Sequence, residues 1–232
     1  MKLGLQTISW GGQLSDIKEV IATASELGLS GLELAQRVEM IGTLEHLRDM
    51  LTASGIRVVG LAGGGIRSRL HSARVLEAEY LYADEWDEEG IRDAMDQDIT
   101  VAVHPHLYKG IDSVRTAEFY LARYPKLRMI LDTAHCFLAG DDVVEAFKRN
   151  QHKVVTVHLK DWMASYGRSP HHFARGFTAL GTGELHDLLD KMIIELKNSK
   201  FTGWVIIEQD TPHGFPAKCA SISRTWLKER GI

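Results

Sequence analysis

The sequence predicts an α/β fold, a single (β/α)8 TIM barrel over residues 1–232 with some shortened helices. Strand-like apolar runs alternate with helix-like runs, and short glycine-containing turns separate them, as in parallel β-α units. Several strand-like runs are continuously apolar, which is typical of parallel strands buried on both faces. At 232 residues the chain is slightly shorter than the about 250 residues of a typical barrel.

The composition is that of an ordinary globular protein, with 44% hydrophobic residues, 25% charged residues and a formal net charge of -4. This charge argues against a nucleic-acid partner. Two cysteines indicate no disulfide framework, and neither a signal peptide nor an apolar run of about 20 residues is present. We therefore expect a cytoplasmic protein that does not enter a membrane, and the sequence leaves open whether it forms a homo-oligomer.

The first part of the chain predicts the order β-α-β-α-β. The first helix has Ser15 as its N-cap and ends at Gly28, and the second has Thr43 as its N-cap and ends at Gly55. The strands predicted around these helices are residues 2–10, 31–36 and 56–62.

The middle of the chain has the weakest pattern. Residues 68–76 predict a helix and residues 79–83 a strand. Residues 84–98 carry many acidic side chains, which indicate either a cation-binding surface or, more simply, the solvated face of a short helix. We favour the helix, and we expect this flank of the barrel to be thin because its helices look short.

The second half of the chain continues the alternation. Its predicted strands are residues 99–104, 127–132, 154–160 and 203–209. The helices predicted between and after them are residues 114–124, 143–149, 185–196 and 215–230. A long polar loop at residues 163–182 is of the kind that closes over a site.

The last four predicted strands end in side chains that bind metals in many proteins: His104, Asp132, His158 and Glu208. Since a barrel gathers the C-terminal ends of its strands around one active site, we expect these side chains to meet. Mixed imidazole and carboxylate ligands suit Mn²⁺, Co²⁺, Zn²⁺ or Fe²⁺ better than Ca²⁺, and Mg²⁺ remains a candidate. Taken singly, each residue has the simpler interpretation of a structural hydrogen-bonding group or a turn residue.

With Glu208, the predicted catalytic residues are His135 and Lys160. His135 is alternatively a structural histidine in a loop. Lys160 has the alternative of a salt bridge with a neighbouring carboxylate such as Glu208, Asp161 or Asp210.

A further set of polar and aromatic residues near the strand ends is predicted to bind the substrate: Glu33, His106, Trp10, Trp162 and Asp210. Glu33 has the alternative of an ion pair with a cation such as Arg67. The tryptophans, together with Trp86, have the alternative of packing under the helices.

Short motifs in the second half carry a family resemblance: His104-Pro-His106, Leu131-Asp-Thr-Ala-His135, His158-Leu-Lys-Asp161, Leu180-Gly-Thr-Gly183 and Gly203-Trp-Val-Ile-Ile-Glu-Gln-Asp210. The chain resembles the xylose isomerase-like TIM-barrel superfamily of sugar isomerases and epimerases. Within it, the motifs look most like those of the inosose (2-keto-myo-inositol) dehydratases. The resemblance runs through most of the chain.

The resemblance implies a metal site formed by Asp132, His158, Glu208 and the residue at the strand-five position. That residue is His104, where many epimerases carry Glu. Ketose 3-epimerases use two metal-bound glutamates as opposed acid and base, so this difference disfavours epimerisation and leaves a lyase open. His186 is a second departure, because the dehydratases tend to have Asp there.

The implied activity is that of a divalent-metal-dependent lyase or isomerase acting on a polyol ketone or sugar. Glu208, His104 or a metal-bound water would take the proton beside the carbonyl, and Lys160 or His135 would protonate the departing hydroxyl. A ketose or ketose-phosphate isomerase or epimerase is the alternative, and a non-catalytic sugar-binding barrel is an alternative of another class. An abasic-site endonuclease on the same scaffold is disfavoured by the acidic balance.

Overall fold

Eight parallel strands close a barrel in the computed structural model, which describes residues 1–14, 16–166 and 173–232. Neighbours in the barrel are neighbours in sequence order, and the last barrel strand pairs with the first. The barrel strands are β1 (Lys2–Gln6), β2 (Gly31–Leu34), β3 (Arg57–Leu61), β4 (Tyr80–Ala83), β5 (Val101–Val103), β6 (Arg128–Asp132), β7 (Val154–Leu159) and β10 (Trp204–Ile207). A separate antiparallel pair is formed by β8 (Asp161–Trp162) and β9 (Phe177–Thr178).

Helices follow the strands and pack on the outside of the barrel, which confirms the predicted (β/α)8 fold. In the described residues they are α1 (Lys18–Glu26), α2 (Val38–Ile41), α3 (Leu44–Ala53), α4 (Ile66–Val75), α5 (Glu88–Asp96), α6 (Val114–Arg123), α7 (Thr133–Leu138), α8 (Val143–Asn150), α9 (His186–Asn198) and α10 (Pro216–Glu229). Ser15, the predicted N-cap of the first helix, lies outside the described residues. None of the helices in the described ranges has both the length and the apolar character needed to cross a bilayer.

The first strand is shorter than the sequence predicted. It ends at Gln6, and the next residues form a 3-10 turn, Thr7–Trp10. The Thr7 hydroxyl donates a hydrogen bond to Gln36 Oε1 at 2.6 Å and accepts one from the Ala35 amide at 2.9 Å. These two bonds tie the turn to the end of β2 and so redirect the chain.

The flank that was expected to be thin has helices of ordinary length. α4 has 10 residues and α5 has 9, against 9 in α1 and 10 in α6. The acidic stretch forms the exposed side of α5, where Arg67 pairs with Glu89 and Asp93. This is the solvated helix of the simpler interpretation. The short helices are α2 and α7, with 4 and 6 residues, and the sequence predicted neither.

The N-terminal end of the barrel interior is apolar and closed by Trp204, which is fully buried. Gly31 leaves room for the indole, because a Cβ atom on Gly31 would lie 2.4 Å from the Trp204 ring and 2.5 Å from Val59. The indole N–H donates to Glu79 Oε2 at 2.9 Å, and Glu79 pairs with Lys2 at 3.2 Å. These contacts form a floor beneath the rest of the interior.

Above this floor the inward-facing side chains are polar. Alternation along a strand directs every second residue inward. The register places Gln6 beside Glu33 and Asp132 beside His158. The barrel therefore collects polar groups at the C-terminal ends of its strands, which is the end where barrels of this kind carry their active sites.

We predict that Gly31→Ala lowers the free energy of unfolding by about 1–3 kcal/mol, because the added methyl group overpacks the Trp204 floor. Urea unfolding followed by tryptophan fluorescence measures the change. Gly12→Ala is the matched control, since a Cβ atom there meets nothing within 4 Å. Equal free energies of unfolding for the two variants would show that the packing around Trp204 accommodates the added methyl group without loss of stability.

Candidate metal centre

Three consecutive barrel strands bring His104, Asp132 and His158 together. One ligand atom from each lies within 4.8 Å of the other two, and all three side chains are buried. His104 follows β5, Asp132 ends β6 and His158 lies in β7. All three were predicted from their positions at the ends of apolar runs.

Glu208, the fourth predicted ligand, follows β10 and faces the same point. Its Oε2 atom is 2.6 Å from His158 Nδ1, and Asp132 Oδ2 is 3.5 Å from that nitrogen. Asp132 Oδ2 is also 3.8 Å from His104 Nε2. The four side chains that were predicted to meet therefore do so.

The facing atoms are close but not aligned as hydrogen bonds. Among the buried atoms of the described residues that lack a hydrogen-bond partner, four belong to this cluster: His104 Nε2, Asp132 Oδ2, His158 Nδ1 and Glu208 Oε2. Buried polar atoms are normally satisfied, and leaving one without a partner costs about 1–3 kcal/mol. Two imidazole nitrogens and two carboxylate oxygens pointing at one place fit a borderline divalent cation.

The backbone of α7 orients the Asp132 carboxylate. Asp132 Oδ1 accepts the amides of Ala134 at 3.0 Å and His135 at 2.8 Å, so it caps the helix and turns Oδ2 toward the cluster. Burial alone would raise the pKa of Asp132, but Lys160 and the nearby histidines hold it well below its usual value. Asp132 is therefore an ionised oxygen donor.

His158 is held between carboxylates. Burial alone would lower its pKa, but Glu33 and Glu208 outweigh that effect and hold the pKa well above its usual value. For Glu208, burial would raise the pKa, and Lys160 and His158 together lower it well below its usual value. The anionic Glu208 thus attracts a positive charge, either a proton or a metal ion, to the space beside His158 Nδ1.

Lys160 is fully buried next to the cluster. Its Nζ lies 2.9 Å from Glu208, 3.0 Å from Asp210 and 3.3 Å from Asp132. Burial would lower its pKa, but these three carboxylates raise it above the usual value, so the ammonium form persists. The salt-bridge alternative is present with Glu208 and Asp210, whereas Asp161 has another role.

Three further predicted residues extend the cluster toward the mouth of the barrel. Burial and the Glu208 charge, opposed by Lys160, raise the pKa of Asp210 to about 7. Asp210 Oδ2 is 3.9 Å from His135 Nε2, and the His135 and His106 rings are 3.8 Å apart. Burial lowers the pKa of His106 to about 4 and that of His135 well below its usual value, so both are neutral imidazoles. His135 lies on α7 rather than in a loop.

Glu33 lies beneath the cluster, and its predicted pairing with Arg67 is wrong. Arg67 is on the surface, paired with Glu89 and Asp93, whereas Glu33 is fully buried. Glu33 Oε2 is 2.8 Å from His158 Nε2, on the side of the ring opposite Nδ1. The carboxylate therefore contacts a proposed ligand.

The aromatic residues and His186 have different surroundings. Trp86 packs between helices, stacked on Tyr120 with ring centroids 3.8 Å apart, as the alternative interpretation proposed. Trp10 and Trp162 are half-buried against the core, and substrate contact stays a prediction for both. His186 is exposed at the start of α9 and contacts Asp187 at 3.4 Å, so it lies outside the cluster.

Asp161 has a structural role that the sequence analysis did not assign, since Asp161 was named there only as an alternative partner of Lys160. Its two carboxylate oxygens accept four backbone amides, those of Trp162, Gly181, Gly183 and Leu185, at 2.8 to 3.0 Å. Gly183 has no space for a side chain, because a Cβ atom would lie 2.3 Å from Asp161 Oδ1. Asp161 therefore fixes residues 181–185, the glycine loop, beside β8 and β9. The signal available in the sequence was its position next to inward-facing Lys160, which directs Asp161 to the opposite face.

Known proteins are similar to this chain in sequence or in fold. Residues 17–230 match the model of the xylose isomerase-like TIM barrel family. An inosose dehydratase of Lacticaseibacillus casei is 26% identical over an alignment of 203 positions, which covers 78% of this chain and 67% of that relative.

Two solved structures share the whole barrel. The IolI protein with a bound zinc atom superposes with a TM-score of 0.76 at 14% identity, covering 99% of this chain and 98% of that one. A D-allulose 3-epimerase from Methylomonas sp. in complex with D-allulose gives a TM-score of 0.76 at 15% identity, covering 99% and 97%. At these identities the two structures establish the fold alone.

We predict that Asp161→Asn loosens the glycine loop, because an amide group would replace an oxygen that accepts two N–H groups. Hydrogen bonds to charged groups contribute about 1.5–3 kcal/mol each, so exchange of the Gly181 and Gly183 amides should accelerate at least about tenfold. Hydrogen exchange followed by mass spectrometry measures this. Asp142→Asn is the control, since Asn caps a helix as well as Asp does. Unchanged exchange in Asp161→Asn would contradict the assigned role.

Proposed function

This chain belongs to the xylose isomerase-like TIM-barrel family, and we propose that it is a divalent-metal-dependent lyase or isomerase of polyol ketones or sugars, most like an inosose dehydratase. The observation that carries the proposal is the convergence of four buried ligand atoms without hydrogen-bond partners in the described part of the chain. The inosose dehydratase relative supports the class of substrate. A small-molecule partner fits a site at the mouth of a barrel.

The residues that would hold the ion are His104, Asp132, His158 and Glu208. The charges of the cluster support this assignment, since the carboxylates around Lys160 outnumber its single ammonium group. The zinc atom in the structure of IolI, which has the same fold, is a further support. When bound, a divalent cation supplies Lewis acidity toward a substrate carbonyl and an adjacent hydroxyl.

The surrounding residues divide the remaining tasks. Dehydration of a hydroxyketone moves the proton beside the carbonyl to a base, breaks the bond from the next carbon to its hydroxyl, and releases that hydroxyl as water with one added proton. Lys160 is held as an ammonium, which suits an interaction with substrate oxygens. Asp210, with a pKa of about 7, is better matched to proton transfer near neutral pH than Glu208 is. We therefore add Asp210 to the predicted catalytic set of Glu208, Lys160 and His135.

Dehydration is favoured over epimerisation by the residue at the strand-five position. The family resemblance implies that ketose 3-epimerases use two opposed glutamates, and His104 replaces one of them here. Of the two glutamate positions that this mechanism uses, only the one at Glu208 then carries a carboxylate. The epimerase is retained as the second candidate because the D-allulose 3-epimerase shares the fold.

We predict that the purified protein binds about one divalent ion and converts 2-keto-myo-inositol to a product lighter by one water. Elemental analysis and product mass spectrometry measure the two outcomes. Chelation should abolish turnover, and Mn²⁺, Co²⁺ or Zn²⁺ should restore it. His158→Gln should reduce kcat/KM at least about 100-fold and lose the ion, because it removes a ligand. His152→Gln, which replaces an exposed histidine, is the matched control and should retain both properties.

An unchanged product mass with altered stereochemistry would replace the lyase with the epimerase. Binding of sugars without turnover or bound metal would contradict both enzymes and leave a sugar-binding barrel.

We also predict that metal affinity rises with pH. Glu33 and Glu208 hold the pKa of His158 well above its usual value, so below that pKa a metal ion must displace a proton from the ring. The dissociation constant should therefore fall about tenfold for each unit of increasing pH in that range, as expected for release of one proton. Calorimetric titration with Zn²⁺ in buffers of different ionisation enthalpy measures both the affinity and the proton count. A pH-independent affinity would argue against His158 as a ligand.

A further inference from the structure

Glu33 is surrounded by hydrogen-bond donors in the barrel interior. Tyr80 donates its hydroxyl proton to Glu33 Oε1, and the Gln6 side-chain amide donates to Oε2 at 3.3 Å. The same Gln6 amide also donates to the Tyr82 hydroxyl oxygen at 3.1 Å. A carboxylate can only accept, so the protons of the Tyr80 hydroxyl and the Gln6 amide are directed toward it.

The same arrangement determines which ring nitrogen of His158 carries a proton. Nε2 lies 2.8 Å from Glu33 Oε2 and is hydrogen-bonded to the Tyr82 hydroxyl oxygen at 3.0 Å. Because a carboxylate can only accept, the close contact with Glu33 favours a proton on Nε2. Glu33 therefore holds the proton of Nε2, which leaves Nδ1, facing Asp132 and Glu208, as the nitrogen that exchanges its proton for a metal ion.

We propose that Glu33 is a positioning residue that fixes the tautomer of His158 and so prepares Nδ1 to bind a metal ion. The proposal rests on the metal site described under the proposed function. It replaces substrate contact as the role of Glu33, because Glu33 is fully buried beneath the His158 ring. A ligand histidine whose other nitrogen donates to a carboxylate is oriented and made more basic by that contact.

Tyr82 makes the role of Glu33 specific. If Glu33 is replaced by an apolar residue, His158 Nε2 loses the carboxylate that holds its proton, and the Tyr82 hydroxyl remains 3.0 Å away. It can then donate to His158 Nε2 and so favour the opposite tautomer, in which a proton on Nδ1 opposes the metal ion. Removing the Tyr82 hydroxyl as well should cancel this second effect.

The test is the affinity for Zn²⁺ alone, measured by competition with a chromophoric chelator. We expect Glu33→Leu to weaken binding about 10- to 100-fold, and the isosteric Glu33→Gln to weaken it less. Glu33→Leu combined with Tyr82→Phe should bind Zn²⁺ more tightly than Glu33→Leu alone, a recovery that a purely structural defect would not give. Nitrogen NMR of the His158 ring in the Zn²⁺ complex should show the proton on Nε2. Glu79→Gln, at the opposite end of the barrel, is the control for the loss of a carboxylate that accepts a hydrogen bond inside the fold.

The outcomes separate this proposal from the one it rests on. If the unaltered protein does not bind Zn²⁺, the proposed metal enzyme fails, and the role of Glu33 fails with it. If it binds Zn²⁺ and the folded Glu33→Gln and Glu33→Leu variants bind equally well, only the positioning role is overturned. Should Glu33→Leu not fold, Glu33→Gln keeps the side-chain volume and decides the question.

Discussion

The structure depends on balancing several negative charges that are buried at one end of the barrel. Asp132, Glu208 and Asp210 all approach the single ammonium of Lys160. Burying charges without balance costs several kcal/mol for each ion, so carboxylates in such a place need a cation or a proton. The directions of the pKa shifts follow from this requirement. Lys160 keeps its proton, Glu208 loses its proton readily, and Asp210 retains a proton to near neutral pH.

The barrel and the proposed ligands were predictable because they depend on short repeated patterns. Apolar runs of strand length mark the barrel strands, and closure of a parallel barrel brings their C-terminal ends together wherever the intervening helices lie. His104, Asp132 and His158 are thus adjacent in space although each follows a different strand. Closure of the barrel brings Glu208, which follows β10, to the same place. The first strand was predicted to run to residue 10, but residues 7–10 form a 3-10 turn. Errors of this kind at strand ends leave the convergence of the ligands unchanged.

The details that sequence analysis missed depend on contacts between distant residues. The contact of Glu33 with His158 crosses the barrel interior from β2 to β7, and no pattern within either strand records it. α7 has only 6 residues, too few for a helical period, and it forms at Asp132, whose side chain caps it. β8 and β9 have two residues each, and they are placed by the loop that Asp161 fixes. Tertiary hydrogen bonds, rather than local preference, determine these elements.

The proposed ligand set has a chemical consequence. An imidazole at His104, in place of a carboxylate, removes one negative charge from the proposed site, so an ion bound there retains more of its capacity to stabilise a negatively charged oxygen. Lys160 adds a positive charge on the same side. Elimination of water needs this stabilisation together with proton transfer at one end of the cluster, where Asp210 and His135 lie. Epimerisation needs opposed proton donors and acceptors on both faces of one carbon, and His104 in place of a glutamate weakens one of them. The substitution that departs from the epimerase pattern is therefore the same feature that favours a lyase.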